Sequence, residues 1–226
     1  PIVSSGKAAS VITRMWDKKY QYLPDALIVE GPHAGGHLGF SLEQLKSNPL
    51  PSLSDIVKDV LTAIKPFEEK YNKKIPVIAA GGIFDGNDIA NFIKLGASGV
   101  QMGTRFVATR ECDAHENYKE AYLKASKGDI QIVKSPVGMP GRAIRNEFIK
   151  ALEETNQKVA KCYNCLKPCN PATTPYCISK ALIQAVKGDV KNGLIFTGSN
   201  AYKLNKIISV KQLINELVSH AEVALT

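Results

Sequence analysis

Pro76-Val77-Ile78-Ala79-Ala80-Gly81-Gly82-Ile83 is a short apolar run that ends in two adjacent glycines. Downstream, Ile89, Phe92, Ile93 and Leu95 recur at helical spacing behind Asp85, Gly96 ends the pattern, and Gly99-Val100-Gln101-Met102 begins a second short apolar run closed by Gly103-Thr104. Runs this short, bounded by turn residues, predict buried strands, and an amphipathic helix between two of them predicts a parallel βαβ unit. Asp85 can accept the free N–H groups of the helix start, and Gly96 can take the left-handed conformation at its end.

The same alternation continues upstream. Ala26-Leu27-Ile28-Val29 reads as another buried strand, and a helix capped by Ser52 or Ser54 follows, with Leu53, Ile56, Val57, Val60, Leu61, Ile64 and Phe67 on one face. Ile2-Val3-Ser4-Ser5 reads as a further strand, followed by a helix over 7–20 whose Val11, Ile12, Met15 and Trp16 share a face. The expected fold class is therefore α/β, with about four βα units over residues 1–110. Beyond Phe106 helical patterns dominate, over 114–126, 143–159, 178–186 and 210–223, so residues 111–226 read as a helical C-terminal extension. Two loops there have unusual content: Ser135-Pro-Val-Gly-Met-Pro-Gly141 and the segment from Cys162 to Cys177.

Composition bounds the function. The chain has 226 residues, 44% hydrophobic and 22% charged, which suits a globular protein with a sizeable core. No apolar run reaches the roughly 18 residues needed to span a bilayer, and no basic stretch leads into a hydrophobic signal core, so a cytoplasmic, non-membrane protein is expected. The net charge of +8 is spread over helix faces, at Lys18, Lys19, Lys58, Lys65, Lys70, Lys73 and Lys74, among acidic residues. That is the pattern of a solvated surface, and with no recognisable nucleic-acid motif no nucleic-acid partner is expected. Five cysteines, four of them crowded together, do not resemble a secreted disulfide scaffold.

Three strand ends carry candidate chemistry. Gly81-Gly82 and Gly103-Thr104 each let backbone N–H groups approach a phosphate, and together, one βα unit apart, they favour a phosphate site over two plain turns. Ala26–Val29 opens into Glu30-Gly31-Pro32-His33-Ala34-Gly35-Gly36-His37-Leu38-Gly39-Phe40. An imidazole on such a loop titrates near neutral pH and can reach a substrate, so His37 is the candidate general base, while His33 beside Pro32 is less well placed. Cys162-x2-Cys165-x3-Cys169-x7-Cys177 gathers four thiols that could ligate Zn2+ or an iron–sulfur cluster, or could simply pack as small hydrophobes. Pro168, Pro171 and Pro175 should keep that segment in turns, and it holds too few apolar residues to build an apolar pocket for the thiols. Cys112 lies apart and reads as structural.

These residues carry a resemblance. Pro32-His-Ala-Gly-Gly-His-Leu-Gly39, Pro76-Val-Ile-Ala-Ala-Gly-Gly-Ile83 and Val100-Gln-Met-Gly-Thr-Arg-Phe106 resemble the signature segments of the nitronate monooxygenase (2-nitropropane dioxygenase) family, which includes enoyl-acyl-carrier-protein reductase II. The similarity continues through 114–119, 138–144 and 193–196. It implies the C-terminal half of an FMN-dependent (β/α)8 TIM barrel, with His37 as catalytic histidine. It further implies that Gly35, Gly36, Gly81, Gly82, Gln101, Met102, Gly103 and Thr104 hold FMN, mostly through backbone groups. Glu30 stands where many members carry Gln. His115 and Arg142 match family positions, and helix capping or packing is the expected role of His115.

The implied reaction is FMN-dependent oxidation of an alkyl nitronate or nitroalkane to a carbonyl compound and nitrite. An alternative is NAD(P)H- and FMN-dependent reduction of an enoyl thioester, with Lys134, Arg142 and Arg145 docking an acidic carrier protein. A third is an FMN- or phosphate-binding assembly module without turnover. A complete barrel needs eight strands over about 250 residues. Four strand signals lead to the expectation that a missing N-terminal half-barrel, or a second copy of the chain, completes the fold.

Overall fold

The computed structural model describes residues 1–167 and 169–226; Pro168, one of the three prolines expected to hold the cysteine segment in turns, lies outside the described residues. Two compact units emerge, one of Pro1–Ala34, Gly39–Met102 and Lys211–Thr226, the other of Gly35–Leu38 and Gly103–Val210.

The first unit contains the βα alternation. In order it holds β1 (Ile2–Val3), α1 (Gly6–Tyr20) and β2 (Leu27–Glu30), and the second unit then takes β3 (Gly36–His37). The first unit resumes with α2 (Leu42–Lys46), α3 (Leu53–Tyr71), β4 (Val77–Ala80), α4 (Gly86–Leu95) and β5 (Gly99–Gln101). The strands form one parallel sheet in the order β1-β2-β4-β5. Register is set by pairs such as Val3 with Val29, Val29 with Ala79 and Ala79 with Val100. Because side chains alternate across a strand, Leu27, Val29, Val77 and Ala79 share a buried face and pack with Val57, Val60 and Ile64 of α3. Each buried Leu, Val or Ile of this set contributes about 1.5–3 kcal/mol by leaving water.

Local signals act where the sequence places them. Ser5 caps α1 by accepting from Ala8 N–H, Asp85 and Asp88 form a reciprocal capping box on α4, and Gly96 ends α4 at φ 108°. Ser52 occupies the N-cap of α3 without a side-chain hydrogen bond.

The second unit departs from an all-helical extension. After α5 (Thr104–Val107) and α6 (Glu116–Lys124) come β6 (Ile130–Lys134) and β7 (Pro140–Ile144), which pair antiparallel with each other and with β3 in the order β3-β7-β6. The helix expected over 143–159 is therefore a strand followed by a shorter helix, α7 (Glu147–Glu154), capped by Asn146. Apolar spacing alone could not separate the two, because Ala143 and Ile144 bury equally well on either element. Helix α8 (Ile178–Val186) forms where expected, and Phe148, Ile149, Tyr176, Ala181 and Leu194 build the core beside β6 and β7. Between α7 and α8 the described chain is irregular, in bends and turns.

The two units also depart from a boundary near residue 110. Helix α9 (Val210–Leu225) belongs almost entirely to the first, where Lys94 Nζ donates to Ala224 O at 2.5 Å. A Cβ on Gly86 would lie 2.5 Å from Ala221 N, so only glycine permits α4 to start there.

Candidate active site

His37 is half-buried on β3, in the second unit. Its Nε2 lies 2.7 Å from Ser135 Oγ, at the start of the loop that joins β6 to β7. Its ring meets Phe196 edge-on, with centroids 5.0 Å apart and planes at 70°. Burial lowers the imidazole's pKa from its ordinary value, so the ring is neutral, and able to accept a proton, over a wider pH range than a solvent-exposed histidine.

The surroundings of that pair are themselves anchored. Tyr122 Oη donates to Phe196 O, which anchors the backbone that carries the Phe196 ring. Tyr176 Oη donates to Lys134 O at 3.2 Å and is hydrogen-bonded to Ser135, and burial pushes its phenol up to about 12. Phe148 packs edge-on against Tyr176 at 5.3 Å. Gly141, opposite His37 in the β3–β7 pairing, admits no side chain, because a Cβ there would come within 2.8 Å of Phe196 Cε1. Ser135, Tyr176 and Phe196 were not singled out by sequence reasoning. The available signal was the odd composition of the loop opening at Ser135, which marks a conformation but not its partner.

The second unit also holds four of the expected cofactor residues. A Cβ on Gly35 would strike Thr197 C and Gly198 N at 2.6 Å, so that position needs glycine for the close approach of 197–198, while Gly36 needs it for its φ of 73°. Gly198 N–H donates to Thr104 Oγ1 at 3.3 Å. Gly103 differs: nothing lies within 4 Å of where its Cβ would stand, so its neighbours do not explain the missing side chain.

In the first unit, Gly81 and Gly82 follow β4 with φ 94° and 86°. A Cβ on Gly82 would meet His33 Cβ at 2.8 Å, and one on Gly81 would meet Ala34 N at 3.0 Å. Both glycines thus bring the end of β4 against the 31–34 loop, a structural duty the phosphate reading alone did not anticipate. Gln101 is exposed at the end of β5, paired with Ala80, and Met102 packs on the core. Glu30 ends β2, and burial raises its carboxyl above the usual carboxylate range.

Other expectations resolve plainly. His115 is the N-cap of α6, its Nδ1 accepting from Asn117 N–H at 3.1 Å, as the capping reading requires. Arg142 is buried on β7 opposite Gly36, and Arg145 makes a two-pronged ion pair with Glu153 at 3.0 and 2.6 Å. Arg142 therefore cannot serve as a surface docking charge, since a guanidinium shielded from solvent cannot meet an acidic partner. Cys162, Cys165, Cys169 and Cys177 are free thiols lining one cavity with Val159, Tyr163, Leu166, Pro171 and Ile178. Tyr163, Leu166 and Pro171 of the segment are joined by Val159 and Ile178 from outside it, which supply the apolar residues that the segment was expected to lack. No group of three or more His, Cys, Asp or Glu among the described residues could hold a metal ion as they stand. The four cysteines therefore do not form the tight tetrahedral set that a single zinc would need.

A sequence profile described as nitronate monooxygenase matches residues 1–220. The chain belongs to the nitronate monooxygenase family. A probable nitronate monooxygenase of Staphylococcus saprophyticus is 36% identical over 136 residues, covering 60% of this chain and 36% of that protein. One from Staphylococcus aureus strain Newman is 35% identical over 130 residues, covering 58% and 34%. These alignments span about a third of the length of the curated relatives. Among solved structures, FabK from Thermotoga maritima is similar with a TM-score of 0.72 at 31% identity, covering 100% of this chain and 61% of that one. Nitroalkane oxidase from Streptomyces ansochromogenes gives 0.71 at 22% identity, covering 99% and 57%, which speaks to fold alone. The α/β architecture, with its four parallel strands, is thus part of a TIM barrel. Among the described residues no helix is long and apolar enough to cross a membrane.

Proposed function

We propose that the chain is the catalytic C-terminal part of an FMN-dependent, cytoplasmic nitronate monooxygenase. The observation that carries this reading is His37, a half-buried imidazole with lowered basicity, aligned by Ser135 and Phe196 within a family whose reaction needs a base.

The residues are compatible with FMN on one specific ground: at Gly103 a position without a side chain is left open by its neighbours. In the first unit Gly81, Gly82, Gln101 and Met102 would contact the cofactor; in the second, Gly35, Gly36, Gly103 and Thr104 would do so, largely through backbone N–H groups. When bound, FMN supplies the redox chemistry that no protein side chain can. What the chain itself does is move and place protons. The neutral imidazole of His37 takes the proton alpha to a nitro group at Nδ1, whose lone pair is free when Nε2–H donates to Ser135 Oγ. Ser135 keeps the ring from rotating away, and Tyr176 fixes Ser135 in turn. Phe196 excludes water from one face of the imidazole, which keeps it neutral before the proton arrives. Substrate is a small nitronate or nitroalkane. In the intact enzyme the open edges of the parallel sheet, β1 and β5, are paired by an N-terminal half-barrel or a second copy of the chain.

A second reading, reduction of an enoyl thioester with NAD(P)H, is favoured by the likeness to FabK over the whole chain. It is weakened by burial of Arg142 and pairing of Arg145, which leave the carrier-docking charge expected there to Lys134. Mixing the flavin-loaded protein anaerobically with an alkyl nitronate, and separately with NAD(P)H, decides between them. Loss of flavin colour with nitronate supports monooxygenation, and loss with NAD(P)H alone supports enoyl reduction. Protein that holds no flavin overturns both and leaves an assembly module.

A further inference from the structure

The lysines of this chain are not all placed alike. Lys58, Lys70, Lys74, Lys119, Lys124 and Lys150 each pair with an acidic side chain. From Thr155 to Gly188 the sequence instead carries Lys158, Lys161, Lys167, Lys180 and Lys187 and no Asp or Glu. All five are exposed, and among the described residues none makes an ion pair; Lys161 stands over the Tyr163 ring at 5.7 Å. Of the flanking acids, Glu147 and Glu153 are held by Lys150 and Arg145, and Asp189 accepts from Asn192 and Gln184, while Glu154 stands exposed at the end of α7.

The fold gathers three of these lysines. The irregular chain over 157–161 runs beside α8, so that Gln157, Lys158, Lys161, Lys180 and Gln184 border one groove whose floor is the buried Phe148. The groove has room for no more than about one water, so its chemistry is that of a surface and not of a small-molecule pocket.

Helix α8 adds an apolar component. Ile178, Ala181 and Ala185 are its buried side. Lys180, Ile183 and Lys187 follow one another at i, i+3 and i+7 on the opposite side, where Ile183 is 41% exposed and Val186, one turn on, 43% exposed. Aliphatic side chains set among unpaired ammonium groups are the complement of a helix whose apolar stripe is edged by carboxylates. A nucleic acid or polyphosphate would use the charge but leave Ile183 and Val186 uncovered.

We propose that the outer face of α8, with Lys158 and Lys161 beside it, docks an acidic amphipathic helix of a partner protein. Carboxylates of that helix meet Lys158, Lys180 and Lys187, and its apolar side covers Ile183 and Val186. The position relates the partner to the candidate site: Phe148 packs on Tyr176, which is bonded to Ser135, which meets His37. Two aromatic side chains thus separate the groove from the proton-handling pair. The proposal holds whichever reaction that pair performs.

The test measures fluorescence anisotropy of two labelled probes with the whole chain. One is a helical peptide of about 16 residues with Leu along one side and Glu on its flanks; the other is a single-stranded oligonucleotide of equal charge. The peptide should bind saturably and weaken as salt rises from about 50 to about 300 mM. Each exposed ion pair is worth up to about fivefold, so Lys158→Glu with Lys180→Glu should weaken binding by about tenfold or more. Ile183→Ser with Val186→Ser should weaken it several-fold, and Lys58→Glu should leave it unchanged. Should a variant fail to fold, lysine acetylation of the unmutated chain still decides: bound peptide should protect Lys158, Lys180 and Lys187 and leave Lys58 as reactive as before. Absence of peptide binding, binding indifferent to the α8 substitutions, or tighter binding of the oligonucleotide would each overturn the proposal. Flavin content, measured on the same samples, is independent of all these outcomes.

Discussion

His37 Nε2 and Ser135 Oγ lie 2.7 Å apart although 98 positions separate them in the chain. The contact exists because β3 pairs with β7, placing His37 opposite Gly141, while the β6–β7 loop begins at Ser135. If this pair is the proton-handling unit, the two residues should fail differently when altered. His37→Asn removes the base and should lower turnover of the flavin-loaded enzyme by about 10²–10⁴-fold with flavin retained. Ser135→Ala removes a hydroxyl that also meets Val137 N–H and Tyr176; loss of its bond to His37, worth about 0.5–1.5 kcal/mol, should cost roughly 2- to 10-fold in turnover. Steady-state kinetics beside flavin content checks both, and undiminished turnover in His37→Asn would return His37 to a structural role.

The acid limb of the pH–rate profile should report His37. Burial disfavours the charged ring, so its pKa lies below the ordinary 6.5. The neutral form is the active one, hence kcat/KM should be level at neutral pH and fall only as pH drops through that lowered value. The sign is the same for stability: the unfolded chain takes up the proton first as pH falls, so the contribution of a neutral buried ring is lost on acidification. An acid-limb pKa above 6.5 would contradict the burial argument.

Gly82 and Gly103 should separate fold from cofactor. Gly82 sits at φ 86° against His33, so Gly82→Ala should lower stability by more than the roughly 1–2 kcal/mol that a left-handed alanine costs. Gly103 has φ −124° and open space at its Cβ, so Gly103→Val should leave the melting temperature almost unchanged while weakening FMN binding. Thermal melts and flavin titration on both variants give the comparison. Full flavin occupancy in Gly103→Val would remove the reason for placing FMN beside that residue.

Asp85→Ala tests the βα unit from which the fold was read. Asp85 accepts from Asp88 N–H at 3.0 Å while Asp88 accepts from the N–H groups of Phe84 and Asp85. Losing the cap should cost about 0.5–2 kcal/mol, read as a lower denaturant midpoint with unchanged slope. A neutral result would mean that α4 is held by packing against α9 rather than by its own start signal.

The residues whose partners lie nearby in sequence were legible without a structure. Strands β1, β2, β4 and β5, helix α8, the Asp85 cap and the Gly96 stop all follow from spacing and turn chemistry that act within one element. His37 and the glycine pairs were found because strand ends in such a fold carry chemistry, and the four cysteines because their spacing is conspicuous. What only the tertiary structure decided depends on pairings between distant segments. Pro140–Ile144 became a strand because β3 and β6 offered it hydrogen-bonding edges on both sides, which local propensity cannot register. The same pairing buried Arg142, brought Ser135 to His37, and set Phe196 against the imidazole. Likewise Gly82 reads as a phosphate glycine until His33 is seen 2.8 Å from the place of its absent Cβ. Local sequence sets which conformations are cheap; burial and long-range hydrogen bonding then select among them, and the selection is where the surroundings of the base were made.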